Sequence, residues 1–328
     1  MINFDEIIDR NTCAFNLIEK PLFNFSICKT KDNLYLFWVF HHIITDNISM
    51  NILLRNLYNI LLNNNDKIIH ENTGFLDYVL VENDCDSENN KYIHQYYTNI
   101  FNEYTLVSLP GDKNVDYKRD YYDLVELEMD KEILYEYFKK FNSPIHHIFL
   151  LATNLVLNKY LKNNKLMFFT VFNGRYSYKL ANTVGCFAKS LLFSFDNTNT
   201  NKTLKQSFKE MHDIIINLIK HEPNSFIYDY SKIENEFEFN FVAREDRDFK
   251  FADNISVTPC PIRSIRDNTI FYVVEMESTF NLHILYKDNI YSEEYISKFL
   301  NKIVEVVEKI IGYDNDEITI SMLIDDVF

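Results

Sequence analysis

The chain has 328 residues, with 48 acidic and 33 basic side chains and a formal net charge of −15. This excess of negative charge argues against a nucleic-acid-binding protein, because such binding depends on clustered Lys and Arg. Hydrophobic residues make up 47% of the chain, so it can bury a core as one large domain or two smaller ones, and disorder throughout is excluded.

The few glycines and cysteines exclude further classes of protein. Five glycines form neither GxGxxG nor GxxxxGK[ST], so nucleotide-binding folds of those two kinds are not expected. The five cysteines are far apart and contain no CxxC pair, which argues against a disulfide framework and a zinc knuckle. The acidic N-terminus does not resemble a signal peptide, and apolar runs such as Leu34–Phe40 are too short to span a bilayer. We therefore expect a cytoplasmic protein with no membrane association, no metal and no bound cofactor.

The first third of the chain predicts a hairpin followed by a helix. Phe23–Cys28 and Leu34–His41 are typical of strands, and the second is apolar on both faces, as a central buried strand would be. Asn51–Leu62 has apolar residues at helical spacing. The polar stretch from Asn63 to Tyr122 is weakly patterned, and the turn at Pro110-Gly111-Asp112 marks the expected boundary between two lobes.

The rest of the chain alternates strands and helices. Ser143 before Pro144 predicts a helix start, and the last helix has Ser292 as its cap and Gly312 just past its end. The predicted strands are Leu124–Met129, Leu166–Phe172, Ser190–Phe195, Phe237–Ala243, Ile270–Met276 and Asn281–Tyr286. This pattern predicts a mixed α/β fold, with an N-terminal lobe over 1–115 and a C-terminal lobe over 116–328.

The motif with the clearest chemistry is Phe40-His41-His42-Ile43-Ile44-Thr45-Asp46-Asn47. Imidazole titrates near neutral pH, so a histidine at a strand end that faces a cleft suits general-base catalysis. One alternative is a pair of core histidines before a capped helix. Metal binding is a second alternative, but a His and an Asp four residues apart share a face only in a helix, whereas this segment predicts a strand and a turn.

Other histidines show no comparable pattern. His146-His147 lies in the first turns of a predicted helix and has no Asp at the matching spacing, so we interpret it as structural. His212 and His221 flank a helix end and are interpreted as surface or packing residues.

The histidine motif and the residues around it resemble condensation domains of nonribosomal peptide synthetases, which belong to the chloramphenicol acetyltransferase-like superfamily. HHIITDN resembles the HHxxxDG signature of that family, and the resemblance covers nearly the whole chain in the expected order. Its further segments are Phe15-Asn16-Leu17, Pro21-Leu22-Phe23, Leu109-Pro110-Gly111-Asp112, Asn173-Gly174-Arg175, Thr183-Val184-Gly185-Cys186-Phe187, His221-Glu222-Pro223, Phe239-Asn240-Phe241 and Leu285-Tyr286.

This resemblance implies a fold and a function in peptide antibiotic biosynthesis. The fold would be two acetyltransferase-like lobes, each a mixed sheet with flanking helices, arranged as a V around a central tunnel. The function would be amide-bond formation between acyl or aminoacyl groups held as thioesters. Those groups would be carried on the phosphopantetheine arms of donor and acceptor carrier proteins, with an adenylation domain as a further potential neighbour.

The resemblance also implies residue roles. His42 corresponds to the family's second histidine, which positions or deprotonates the acceptor amine, and His41 would be its structural partner. Asp46 would pair with an arginine to fix the loop, and Arg175 is the candidate. Gly174 and Gly185 would support this structure.

Two departures from the family pattern stand out. Asn47 occupies the position of the motif glycine, and we expect Asn to tolerate positive φ while adding bulk beside the substrate. Only 40 residues precede the motif, so we expect about the first quarter of a family domain to be absent. Both departures bear on whether the chain is active.

The sequence leaves three alternatives open. The first is an acyl-CoA-dependent O- or N-acyltransferase of the same superfamily, and the second is a noncatalytic, degenerate condensation-like docking module. The third is a membrane glycerolipid acyltransferase, because His41 and Asp46 also fit an HxxxxD spacing. Epimerisation domains usually carry Trp after the serine, where this chain has Met50, and heterocyclisation domains replace the histidines with aspartates.

Overall fold

The computed structural model describes residues 15–19, 21–71, 73–83, 87–113, 122–222, 236–243, 269–314 and 317–328. These residues form two compact units. The first contains the described residues up to Glu82 together with Asn173–Lys189, and the second contains the others. Residues 83–113 thus group with the second unit. The boundary between residues 115 and 116 stays a prediction about the lobes.

The first unit contains an antiparallel hairpin of β1 (Phe23–Lys29) and β2 (Leu34–Phe40). The Thr30 N–H donates to the Asn33 carbonyl at 2.8 Å and closes the predicted polar turn. The prediction that the second strand is central and buried was wrong for the described residues. They give it one partner strand, and Leu34 is 68% exposed because the face that it shares with other apolar side chains is largely uncovered.

Two helices follow the hairpin, α1 (Asn47–Leu61) and α2 (Phe75–Asn83). Helix α1 begins four residues before the predicted start because Asp46 caps it: the carboxylate accepts a hydrogen bond from the Ser49 backbone N–H. The motif residues therefore lie directly at a helix N-terminus.

The described residues of the second unit form a seven-stranded mixed sheet. Its strands are β3 (Thr105–Leu106), β4 (Tyr122–Asp130), β5 (Lys165–Phe172), β6 (Lys189–Asp196), β7 (Phe237–Val242), β8 (Thr269–Glu275) and β9 (Thr279–Lys287). Their order is β3-β5-β7-β8-β9-β4, with β6 also paired to β5. The pairs β3–β5, β5–β7 and β7–β8 are parallel, whereas β9 pairs antiparallel with both β8 and β4. The predicted mixed α/β class is confirmed.

Helices flank this sheet, and their apolar sides supply much of the core. They are α3 (Ser87–Glu103), α4 (Lys131–Phe141), α5 (Ile145–Leu161), α6 (Leu204–Lys220), α7 (Glu293–Gly312) and α8 (Ile320–Val327). Helix α5 is buried over most of its length, as a central element is. Its N-cap is Pro144, one residue after the predicted cap, because the Ser143 hydroxyl instead bonds His147 Nδ1 at 2.8 Å.

Candidate active site

The two motif histidines have different surroundings at the end of β2. His41 is half-buried, its Nδ1 accepts a hydrogen bond from the Ile43 N–H at 3.1 Å, and its ring meets the Phe15 ring edge-on at 5.9 Å. It therefore caps the short 3-10 turn His42–Ile44. His42 is exposed, so a reactant can reach its imidazole.

Asp46 and Arg175 form a buried ion pair in the same unit. Nη1 of Arg175 bonds Oδ2 of Asp46, and Nη2 lies 3.0 Å from Oδ1, which gives the two-pronged geometry typical of guanidinium and carboxylate. The side chain of Arg175 is 4% exposed and that of Asp46 is 5% exposed. The guanidinium also lies 4.2 Å from the centre of the Phe187 ring, a cation–π contact. The structure thus brings together the two residues that the sequence paired.

Asp46 stays ionised despite its burial. Burial would raise the pKa of this carboxyl, but hydrogen bonds from Arg175 and from the backbone N–H groups of Ser49 and Phe187 stabilise the anion. The pKa of Asp46 is therefore held below its ordinary value. The positive end of the α1 dipole acts in the same direction.

Ser49 joins the motif to the glycine loop, a role that the sequence interpretation missed. Its fully buried Oγ lies 2.8 Å from both Asp46 Oδ1 and the Gly185 carbonyl oxygen. It also accepts from the Gly185 N–H and from Nη2 of Arg175, both at 3.0 Å. The hydroxyl has one proton, so it donates to one of its two acceptors at a time. The capping pattern Asp-x-x-Ser was the available sequence signal.

The two predicted glycines are required by close contacts. Gly174 has φ +66°, and a Cβ there would lie 1.9 Å from the Phe187 carbonyl oxygen. A Cβ on Gly185 would lie 2.2 Å from the Phe75 ring. The loop from 173 to 189 can therefore approach the motif only with glycine at these positions.

Asn47 needs no unusual backbone. It is the first residue of α1 and is absent from the described residues with positive φ, so the expected tolerance of Asn for that conformation is not used here. Its side chain is exposed, five residues after His42 in the sequence. Replacement of glycine by Asn therefore adds a side chain without backbone strain.

Three further observations concern a cavity, metal binding and membrane-spanning helices. Arg175 also lines a cavity of about 270 Å³ with Asn51, Arg55 and Asn182, whereas His42 does not line it. In the described part of the chain, no group of three His, Cys, Asp or Glu side chains could hold a metal ion. None of the described helices is long and apolar enough to cross a membrane.

Comparisons with known proteins extend over nearly the whole chain. Residues 3–326 match the family model described as the condensation domain. Bacitracin synthase 1 of Bacillus licheniformis is 23% identical over 317 residues, which are 90% of this chain and 6% of that protein. This chain thus spans a small part of the curated relative that it matches.

Two solved structures share the fold. The epimerization domain from the third module of tyrocidine synthetase B has a TM-score of 0.71 at 16% identity, covering 93% of this chain and 75% of that one. The X-domain in complex with OxyB from teicoplanin biosynthesis has a TM-score of 0.75 at 15% identity, covering 98% of this chain and 76% of that one. With the HHxxxD motif held at a capped helix start by Arg175, the match over residues 3–326 shows that the chain belongs to the condensation-domain family.

Proposed function

We propose that this chain forms an amide bond between two carrier-bound groups in nonribosomal peptide synthesis. A donor acyl thioester and an acceptor amine, each on the phosphopantetheine arm of a carrier protein, would meet at His42. The observation that carries the proposal is the exposed His42 imidazole next to a helix start fixed by the buried Asp46–Arg175 pair. An adenylation domain is a natural neighbour, since it would load the carriers.

The motif residues and Arg175 have different roles in this reaction. His42 accepts a proton from the amine as the nitrogen attacks the thioester carbonyl, and the carrier thiol leaves. His41 holds the turn, because its Nδ1 is occupied by the Ile43 N–H. Asp46 and Arg175 do not touch the reactants; they position the turn and the glycine loop. General-base assistance of this kind contributes about 10²–10⁴-fold, and alignment of amine and carbonyl contributes the rest.

The test is product formation from small-molecule mimics. The chain is incubated with an acyl N-acetylcysteamine thioester and an aminoacyl N-acetylcysteamine thioester, and amide product is quantified by mass spectrometry. His42→Ala should lower the rate by about 10²-fold or more. His70→Ala is the matched control, because His70 is an exposed histidine of the same unit, and it should leave the rate unchanged.

The same assay, repeated with acyl-CoA as the alternative acyl donor, separates the other candidate functions. An acyl-CoA-dependent acyltransferase would accept the acyl group from acyl-CoA in preference to the carrier mimic. A noncatalytic docking module would give no product above the level of His42→Ala. One observation favours the docking module: the X-domain to which this chain is similar is in complex with OxyB.

A further inference from the structure

One side of the β1–β2 hairpin consists almost entirely of apolar side chains. The strands pair in antiparallel register, and residues directly opposite each other point to the same side of a sheet. Along each strand, successive side chains alternate between the two sides. One side therefore carries a set of residues that we call the hairpin face: Phe23, Phe25, Ile27, Lys29, Leu34, Leu36, Trp38 and Phe40.

The hairpin face is exposed. Ile27 is 71% exposed and Leu34 is 68% exposed, and the exposed fractions of Phe23, Phe25 and Leu36 lie between 43% and 46%. Because a side chain of this size offers about 200 Å² when it is fully exposed, these five present about 500 Å² of apolar surface. Monomeric proteins rarely expose contiguous apolar patches of more than a few hundred Å², and such patches mark interaction sites.

The two ends of the hairpin face differ in shape. Aromatic rings cluster at the end that leads to the histidine motif, where the centre of the Phe25 ring lies 5.2 Å from that of Trp38 and 5.9 Å from that of Phe40. The end beside the turn is aliphatic, with Ile27 opposite Leu36. Such a face fits a second copy of itself, because a two-fold rotation brings the aromatic end of each copy over the aliphatic end of the other.

The charges of the face suit the same arrangement. Among the described strand residues of the hairpin face, Lys29 alone is charged, and it lies beside the turn. A two-fold rotation keeps the two Lys29 side chains at opposite ends of the contact, where each ammonium group comes over the aromatic end of the other copy. A lipid surface is disfavoured as the occupant, because membrane surfaces are commonly negative and the chain has a net charge of −15.

We propose that the hairpin face is the contact of a homodimer, in which two copies of this chain pack their hairpin faces together around a two-fold axis. This inference is independent of the proposed function. Two faces of about 500 Å² remove about 1,000 Å² from water, which reaches the lower limit of a specific interface and is typical of a dimer that dissociates on dilution.

The test is analytical ultracentrifugation of the full chain over a concentration range of about 1 to 200 µM. We expect monomer at the low end of this range and dimer at the high end. The single tryptophan, Trp38, belongs to the hairpin face, so its fluorescence emission should shift to shorter wavelength as the dimer forms.

Two substitutions place a positive charge in the contact. Ile27→Lys and Leu34→Lys should each weaken the association at least tenfold. Leu76→Lys is the matched control, because Leu76 of α2 also belongs to the first unit and is 69% exposed but lies outside the hairpin face. All three side chains are exposed, so the variants should fold, which circular dichroism checks, and the control should dimerise like the parent protein.

Three outcomes would overturn the proposal. The first is a protein that stays monomeric at every concentration, which leaves the face to a different polypeptide. The second is a dimer that Ile27→Lys and Leu34→Lys do not weaken, because its contact then lies elsewhere. The third is a monomer that binds phosphatidylcholine vesicles and loses this binding in Leu34→Lys, which assigns the face to a lipid surface.

Discussion

Asp46 and Arg175 are 129 residues apart in the sequence, and they form a two-pronged ion pair that is almost fully buried. The pair ties the start of α1 to the glycine loop. Arg175 Nη2 also reaches the Thr183 carbonyl at 3.1 Å, so one guanidinium connects three parts of the first unit. The position of His42 therefore depends on a residue that the chain supplies much later.

Replacing Arg175 by Met should destabilise the protein strongly. The change leaves the Asp46 carboxylate buried without its cation, which typically costs about 3–5 kcal/mol. We expect the unfolding transition to occur at a lower urea concentration. Tryptophan fluorescence can monitor it, because the single tryptophan, Trp38, lies in the first unit.

The matched control is Lys298→Met. Lys298 pairs with Glu294 in α7, and both side chains are more than two-thirds exposed. An exposed pair of this kind contributes little to stability because water and salt screen it, so the control should change the transition little. Equal effects of the two substitutions would contradict a structural role for the buried pair.

A buried histidine of α5 should make the protein sensitive to mild acid. His147 is fully buried, and burial, with help from His146 and His212, lowers its pKa from 6.5 to about 3. The unfolded chain therefore binds a proton that the folded chain does not, so stability should fall as the pH drops from about 6.5 towards 3. The contribution of one such group is about 1.4 kcal/mol per pH unit between those values.

The slope can be measured from urea unfolding at pH 4.5, 5.5 and 6.5. His147→Gln should reduce the dependence on pH over this range by about that slope, although the variant itself is less stable at neutral pH. His70→Gln changes an exposed histidine and should leave the slope unchanged. An unaltered slope in His147→Gln would show that other groups cause the acid sensitivity.

Substitution at Gly174 should disrupt the loop that carries Arg175. An added Cβ would meet the Phe187 backbone carbonyl at 1.9 Å, and the φ of +66° is unfavourable for alanine. Since the contacted oxygen belongs to the backbone, the loop must move, and we expect Gly174→Ala to cost more than about 2 kcal/mol.

Gly312 provides the control for this substitution. Gly312 ends α7, and an added Cβ there meets nothing within 4 Å. Gly312→Ala should therefore be neutral or slightly stabilising, by less than about 1 kcal/mol. Thermal unfolding of the two variants beside the parent protein checks both expectations.

The sequence predicted the motif residues better than it predicted the surroundings of that motif. His42, Asp46 and Arg175 could be selected because the motif and the glycine loop follow a specific order. Ser49 could not, because its contact with Gly185 spans 136 residues and depends on how the loop folds back. Pattern within a segment does not determine such long-range contacts.

Two helices of polar composition, α3 and α4, were missed for a related reason. Helix α3 is polar in composition, yet Ile93, Tyr97 and Ile100 are buried at helical spacing. Helix α4 likewise buries Leu134, Tyr137 and Phe141. In both helices a narrow apolar stripe was outweighed by the polar residues around it. Conversely, the apolar composition of β2 suggested more burial than the described residues provide.

Removal of the Ser49 hydroxyl should weaken both the fold and the chemistry. Ser49→Ala leaves the Gly185 N–H without its acceptor in a buried site, which costs about 1–3 kcal/mol. The glycine loop loses an anchor at the start of α1, so we also expect slower amide formation at a temperature where the variant is fully folded. Circular dichroism measures the first effect and product formation measures the second.

The matched control is Ser207→Ala in α6. Ser207 is also fully buried, but its hydroxyl donates at 3.1 Å to the Thr203 carbonyl, which already accepts from the Ser207 N–H at 2.9 Å. Loss of that hydroxyl leaves no polar group without a partner at this position, so the cost should stay below about 1 kcal/mol and activity should not change. If the two alanine variants behave alike, the hydrogen bonds of Ser49 do not hold the site together, and the loop must be fixed by the Asp46–Arg175 pair alone.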